Sequence, residues 1–276
     1  MLMTMPRAIN RTIEIEYEAF GSRDDPVLMC VPGLGSQLLS FPTELCEAFV
    51  DRGFFVIRMD NRDAGLSSMT TDDAPYTLNE MADDVVAVLD HAGVSQAMIL
   101  GVSMGGMIAQ VTAIRHPHRT NGLVSIMSTT GESDVGGPTL EAWDALVAPP
   151  EESIEAQIEA DLRACKIWSN PEWFDPETFR ANAASTYQRA WNPGAAQRQI
   201  RAIMSSESRV GALGEIRVPT LVIHGALDTL IDQSGGARTA ELIPGARYLL
   251  LEDMSHDFVP QAWPPIIEAV TALAAS

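Results

Sequence analysis

Ser103 stands in Gly101-Val102-Ser103-Met104-Gly105-Gly106, a spacing at which a serine hydroxyl can act as a nucleophile. The apolar run Ala97-Met98-Ile99-Leu100 before it reads as a buried strand, and residues 107–114 after it read as a helix. A G-x-S-x-G between strand and helix is a nucleophile elbow, a tight turn that holds the hydroxyl clear of the sheet. Gly101 and Gly105 flank the serine because backbone packs there too closely for a Cβ.

A hydroxyl is a poor nucleophile at neutral pH; it needs a base, and the base needs an orienting acid. In a strand-turn-helix arrangement of this kind the chain order is serine, acid, histidine. Of five histidines, His91, His116 and His118 fall at helix ends, where solvated roles are expected. His224 lies within a strand pattern and is expected to be packed. His256 follows a late strand in the loop Glu252-Asp253-Met254-Ser255-His256-Asp257 and is the expected base. The acid is expected just past the preceding strand, where His224-Gly225-Ala226-Leu227-Asp228 places Asp228, 28 residues before His256. Parallel strands bring their carboxyl ends to one edge, so both loops should open beside the elbow. Asp232 and Asp134 are the alternatives; spacing and chain order favour Asp228. Asp253 and Asp257 flank His256 too closely to orient its ring and read as solvated loop charges. Acyl transfer also needs two backbone N–H donors for the developing oxyanion. Met104, after the nucleophile, would supply one, and Leu34 in Pro32-Gly33-Leu34-Gly35-Ser36 the other.

The elements that must position these groups alternate between strand and helix patterns. An early half-exposed strand is expected from Arg11 to Glu18, then buried strands at residues 27–31, 54–57, 97–100 and 123–126. Helices are expected at residues 45–50, ended by Gly53, and after the capping-box sequence Thr77-Leu78-Asn79-Glu80, ended by Gly93. This order predicts an α/β fold with a mainly parallel sheet covered on both faces. From Asp134 to Val210 no buried strand is found; helical spacing and Asn-Pro or Asp-Pro punctuation take over. Strands resume at 220–225 and 248–251, and a helix begins near Pro264. The expected organisation is therefore a core of residues 1–133 and 211–276, with an all-helical cap of residues 134–210 inserted after the sixth core strand.

Bulk properties narrow the partners. Seventeen arginines and one lysine, Lys166, stand against 37 carboxylates, for a net charge of −19. Such a field repels nucleic acid and anionic membrane, so neither is expected as a partner. No segment approaches the roughly 20 apolar residues of a membrane span. The opening heptapeptide Met1-Leu2-Met3-Thr4-Met5-Pro6-Arg7 lacks the apolar stretch of a secretory leader. Three widely spaced cysteines, Cys30, Cys46 and Cys165, suit a reducing cytoplasm and read as small buried hydrophobes. No His/Cys grouping has metal-ligand spacing, and no metal or cofactor is expected. The oligomeric state is left open, a homodimer included.

With these pieces in place the chain resembles the α/β-hydrolase superfamily over essentially its full length. Three motifs carry the likeness: the elbow, Gly225-Ala226-Leu227-Asp228, and Met254-Ser255-His256. A fourth, Asp60-Asn61-Arg62-Asp63-Ala64-Gly65-Leu66-Ser67, is similar to a D-x-R-x-x-G-x-S loop that is usually structural there. Within the superfamily the chain looks most like capped esterases near the aclacinomycin-type methylesterases and like cofactor-free haloperoxidase-type hydrolases. The likeness implies Ser103 as nucleophile, His256 as base, Asp228 as acid, and the N–H groups of Leu34 and Met104 as oxyanion donors. Two departures stand out. Pro32-Gly33 replaces the usual His-Gly before the oxyanion residue, removing a side chain that often steadies that loop, and Ser255 replaces the usual Gly before the histidine.

The expected activity is hydrolysis of small or medium apolar carboxylic esters through an acyl-enzyme. Trp143, Trp168 and Trp191 are candidate pocket walls, although most aromatic side chains of the cap (Trp173, Phe174, Phe179 and Tyr187 among them) are expected to form its core. Perhydrolysis or haloperoxidation, carbon–carbon bond hydrolysis of dienoates, lactone opening and acyl transfer would use the same three side chains. Epoxide and haloalkane hydrolysis are disfavoured because they use a carboxylate nucleophile. A ligand receptor that has lost turnover is the rival outside enzymology.

Overall fold

The computed structural model describes residues 7–275. The start of the chain, read above for a leader, lies outside the described residues up to Pro6. Eight strands form one sheet: β1 (Arg7–Asn10), β2 (Ile13–Phe20), β3 (Val27–Val31), β4 (Phe55–Met59), β5 (Ala97–Val102), β6 (Thr120–Ile126), β7 (Thr220–Gly225) and β8 (Arg247–Leu251). Their order is β1-β2-β4-β3-β5-β6-β7-β8, antiparallel at β1/β2 and β2/β4 and parallel from β4 to β8.

The strand at residues 11–18 is corrected. The chain forms a hairpin, with Asn10 paired to Ile13 and Arg11 in the left-handed region at φ 57°. No Gly or Pro marks the two-residue turn of Arg11 and Thr12, so its polar residues merge with the alternation that begins at Ile13.

Continuous apolar runs make the central strands because both faces of the sheet are covered. Successive residues of β3 go to opposite cores: Leu28 and Cys30 to one, Met29 and Val31 to the other. Helices α1 (Thr43–Val50) and α10 (Trp263–Ala274) cover the first face, and α2 (Leu78–His91) and α3 (Met104–Arg115) the second. The capping box of α2 is complete, with Thr77 accepting from Asn79 N–H and Glu80 Oε2 accepting from Thr77 N–H at 2.8 Å.

Between β6 and β7 the chain forms α4 (Leu140–Leu146), α5 (Ile154–Trp168), α6 (Pro176–Arg189) and α7 (Ala195–Ser205). After these, α8 (Val210–Leu213) and α9 (Ser234–Leu242) pack with the core. Helix α5 fully buries only Leu162, and α6 buries no residue. These helices therefore lean on the core, largely through polar contacts. Arg189 Nη1 meets Asp60 Oδ2 at 2.8 Å, Arg198 Nη2 meets Asp63 Oδ1 at 2.9 Å, and Asn192 Nδ2 donates to Gly65 O at 3.1 Å. The Asp60–Ser67 loop thus ties these helices to the sheet. Gly65 belongs there because a Cβ would lie 2.1 Å from Asp60 Oδ2 and its φ is +55°.

Candidate active site

The sheet order reverses direction between β3 and β5, so the loops after these strands open side by side, where α/β sheets place ligands. Ser103 caps β5 with φ 57° and ψ −120°, a conformation costly for a non-glycine residue. Its neighbours make the turn possible. A Cβ on Gly101 would lie 1.9 Å from Gly105 O, and one on Gly105 would lie 2.0 Å from Val31 O. The strained turn lifts the hydroxyl off the sheet and starts α3 immediately behind it.

Three side chains far apart in sequence meet there. His256 Nε2 is 3.0 Å from Ser103 Oγ, and His256 Nδ1 is 2.7 Å from Asp228 Oδ2. Asp228 Oδ1 accepts the N–H groups of Leu230 (2.9 Å) and Ile231 (2.8 Å), which fixes the carboxylate plane. Burial works against charge on Asp228. The positive field of His256 and hydrogen bonds from His224 and His256 outweigh it, so this carboxyl titrates well below the usual carboxylate range. An ionised Asp228 keeps the proton on His256 Nδ1 and leaves Nε2 free to accept from Ser103.

The alternatives lie elsewhere: Asp134 and Asp232 are exposed. His91 Nδ1 pairs with Tyr17 Oη at 2.8 Å and His116 Nε2 with Asp83 at 2.7 Å. His224 is fully buried, its Nε2 2.8 Å from Ile231 O and 3.4 Å from Asp228 Oδ2. Cys30 and Cys46 are buried; Cys165 is half-buried on α5. Among the described residues no His, Cys, Asp and Glu side chains are grouped to hold a metal ion, and no helix is long and apolar enough to cross a membrane.

The reading of Asp257 as a solvated charge is corrected. It is buried, Oδ2 accepting Asn170 N–H at 2.9 Å and Oδ1 accepting Ser255 N–H at 3.2 Å. Burial pushes its pKa up, against those two hydrogen bonds. Asp253 is exposed, and its carbonyl accepts from Asn170 Nδ2 at 2.6 Å. Ser255, the departure before the histidine, is buried as well. Its hydroxyl lies 2.6 Å from Trp168 O and 2.9 Å from Leu227 O, and His256 N–H donates to Trp168 O at 2.8 Å. The end of α5 therefore braces the histidine loop, a role that only the contact reveals.

Leu34 and Met104, the expected oxyanion donors, border the same cavity as Ser103. Met104 opens α3, so its N–H has no acceptor within the helix. The neighbouring loop packs on Ser103: a Cβ on Gly33 would lie 3.4 Å from Ser103 Cβ. Leu34 N–H meets no acceptor among the described residues.

These groups open into a cavity of about 1710 Å³ between the sheet edge and helices α4–α7. Trp143, Trp168 and Trp191 border it. Trp173, Phe174, Phe179 and Tyr187, expected in the cap core, are half-buried and also border it; Trp173 packs against the core that holds Leu28 and Cys30, and the rings of Phe174 and Phe179 lie 5.8 Å apart. Met104, Met107, Met127 and Ile231 add apolar wall near the serine. Of the cations bordering the cavity, Arg58 is held by Glu18 at 2.5 Å and Arg163 is mostly exposed.

Residues 26–261 match the family profile for the alpha/beta hydrolase fold. Among curated proteins, the chain is 28% identical to a rhodomycin D methylesterase of Streptomyces peucetius, covering 95% of both chains. It is 30% identical to a 3-oxoadipate enol-lactonase of Acinetobacter baylyi, covering 94% of this chain and 93% of that one. Among solved structures, an enol-lactonase from Burkholderia xenovorans superposes with TM-score 0.81 at 24% identity, covering 98% of this chain and all of the other.

Proposed function

Because the chain belongs to the α/β-hydrolase fold family, we propose that it is a serine hydrolase of carboxylic esters, of the EC 3.1.1 type. The observation that carries this reading is the continuous line from Asp228 through His256 to Ser103, at 2.7 and 3.0 Å. Ser103 Oγ attacks the ester carbonyl as its proton passes to His256 Nε2, and Asp228 stabilises the imidazolium. The carbonyl becomes an oxyanion facing the N–H groups of Leu34 and Met104, each worth about 3 kcal/mol in such a site. Collapse expels the alcohol, which takes the proton from His256. Water, deprotonated by the same Nε2, then cleaves the acyl-enzyme and releases the acid.

The substrate is a neutral ester with substantial apolar groups. The cavity exceeds the roughly 300–1,000 Å³ of a pocket for one small ligand, leaving room for both acyl and alcohol parts. Its methionine and aromatic walls suit apolar groups. A carboxylate-bearing substrate such as a dienoate would want a cation near the serine, and Arg58 is already committed to Glu18. The methylesterase and enol-lactonase relatives support an ester or its cyclic form, a lactone. Residues 134–210 serve as the cap that walls this cavity.

The test is hydrolysis of p-nitrophenyl esters from acetate to decanoate, with Ser103→Ala alongside. Turnover that vanishes in the variant supports the reading, and the preferred chain length sizes the acyl side. A folded wild type that labels with a fluorophosphonate yet cleaves no ester would point to carbon–carbon hydrolysis. One that neither labels nor turns over would point to a receptor.

A further inference from the structure

We infer that Gln199, on helix α7, is a positioning residue for the oxyanion donor Leu34, so that this helix is built into the oxyanion hole. The inference rests on the esterase reading above. The loop Gly33-Leu34-Gly35-Ser36 is a tight turn, closed by Ser36 N–H donating to Gly33 O at 3.2 Å, with Gly35 at φ +65°. A positive φ at the third position is the mark of the type II form. Peptide planarity makes Leu34 N–H point opposite to Gly33 C=O, away from the turn's own hydrogen bond. The two common turn forms share that first peptide, so the place of this donor beside Ser103 depends on where the whole turn is held.

The two forms differ by about 180° in the plane of the central peptide, Leu34–Gly35, so Gly35 N–H is the group through which a partner can hold the turn and its form together. One contact pins it. Gly35 N–H donates to Gln199 Oε1 at 2.7 Å, while Gln199 Nε2 donates to Arg62 O at 2.7 Å. Gln199 is fully buried, so both bonds are made away from water. Its far anchor is rigid, because Arg62 is itself buried and bonded to Asp84 of α2 at 2.6 Å. The preceding residue of α7, Arg198, is paired with Asp63, which keeps the helix from sliding. With Pro32 in place of a steadying side chain before Gly33, a carboxamide from a different layer of the fold braces this loop. Gln199 touches no reacting atom; it acts through Gly35 and Leu34.

The experiment uses the full chain and the best p-nitrophenyl ester, with three substitutions: Gln199→Met, Gln199→Asn and Gln199→Glu. Methionine keeps the volume and loses both bonds; asparagine keeps the polarity and falls one methylene short of Gly35. Both should lower kcat about 10- to 100-fold, the scale of a misplaced oxyanion donor. KM should stay within about threefold, since the lost interaction is made in the transition state. Affinity for an alkyl trifluoromethyl ketone, whose adduct with Ser103 carries an oxyanion, should fall by the same factor as kcat. Glutamate retains an acceptor for Gly35 N–H and should recover most of the ketone affinity. A folded Met or Asn variant with wild-type kcat, or one whose KM rises while kcat holds, would overturn the inference and leave Gln199 a docking contact. If Met does not fold, the comparison of Asn with Glu decides by the same criteria. A wild type with no ester turnover would overturn the esterase reading, and this inference with it.

Discussion

Replacing Asp228 by asparagine exchanges one oxygen for an NH₂ and should nearly abolish turnover. Asp228 Oδ1 accepts two backbone N–H groups, from Leu230 at 2.9 Å and Ile231 at 2.8 Å. An amide NH₂ at that position would face two donors, so the asparagine carbonyl must take it. The NH₂ then occupies the Oδ2 position, 2.7 Å from His256 Nδ1. Facing a donor, Nδ1 must give up its proton, and the imidazole carries its hydrogen on Nε2, 3.0 Å from Ser103 Oγ. A base that is already protonated toward the serine cannot accept from it. The wrong-tautomer penalty in serine hydrolases is roughly 10⁴-fold in kcat, or about 5.4 kcal/mol at 1.36 kcal/mol per factor of ten. The assay is the pre-steady-state release of p-nitrophenol, which isolates acylation, with circular dichroism to show that the variant is folded. Fluorophosphonate labelling of Ser103 should slow in parallel. A folded Asp228→Asn protein acylating within tenfold of wild type would contradict the assignment of the acid. So would an equal loss caused by Asp134→Asn alone.

Two further outcomes are expected. His224→Gln should keep kcat within about tenfold, or 1.4 kcal/mol, because His224 sits 3.4 Å behind Asp228 and does not face Ser103; a collapse of turnover in the folded variant would mean that His224 supplies the base. Arg189→Met should destabilise the protein at pH 7.5 by about 3–5 kcal/mol, since it strips the cation from the fully buried Asp60. Burial already raises the Asp60 pKa against the pull of Arg189, and losing the arginine raises it further. An acid whose folded pKa exceeds its unfolded value near 3.9 gains stability as pH falls through the folded value, so the deficit should shrink in urea melts at pH 5. A deficit that is small or independent of pH would contradict the ion-pair account.

Much of this site was legible in the chain because its chemistry is local. The elbow needs glycine on both sides of Ser103, and that demand is met within five residues; the built turn, with a Cβ clash at 1.9 Å, shows why. The buried strands are continuous apolar runs, and β3 shares alternate residues between the two cores. The β1–β2 hairpin was not legible, because Arg11 turns the chain without the glycine or proline that usually marks a turn. Nor were the roles of Ser255 and Asp257, whose residue types suit a solvated loop equally well and whose burial follows from helix α5 lying over them.

Strand runs, helix caps and the glycines of the elbow are properties of neighbouring residues, and chain chemistry alone sufficed for them. Pairings across long stretches of chain leave no such trace. Gln199 and Gly35 are 164 residues apart, Arg189 and Gln37 152, and Asn170 and Asp257 87. A glutamine on a helix or an aspartate in a loop has many solvated fates, and its sequence neighbours do not choose among them. Packing of the helical layer on the sheet edge chose, because a polar group buried there must find a partner or bear the full cost of desolvation.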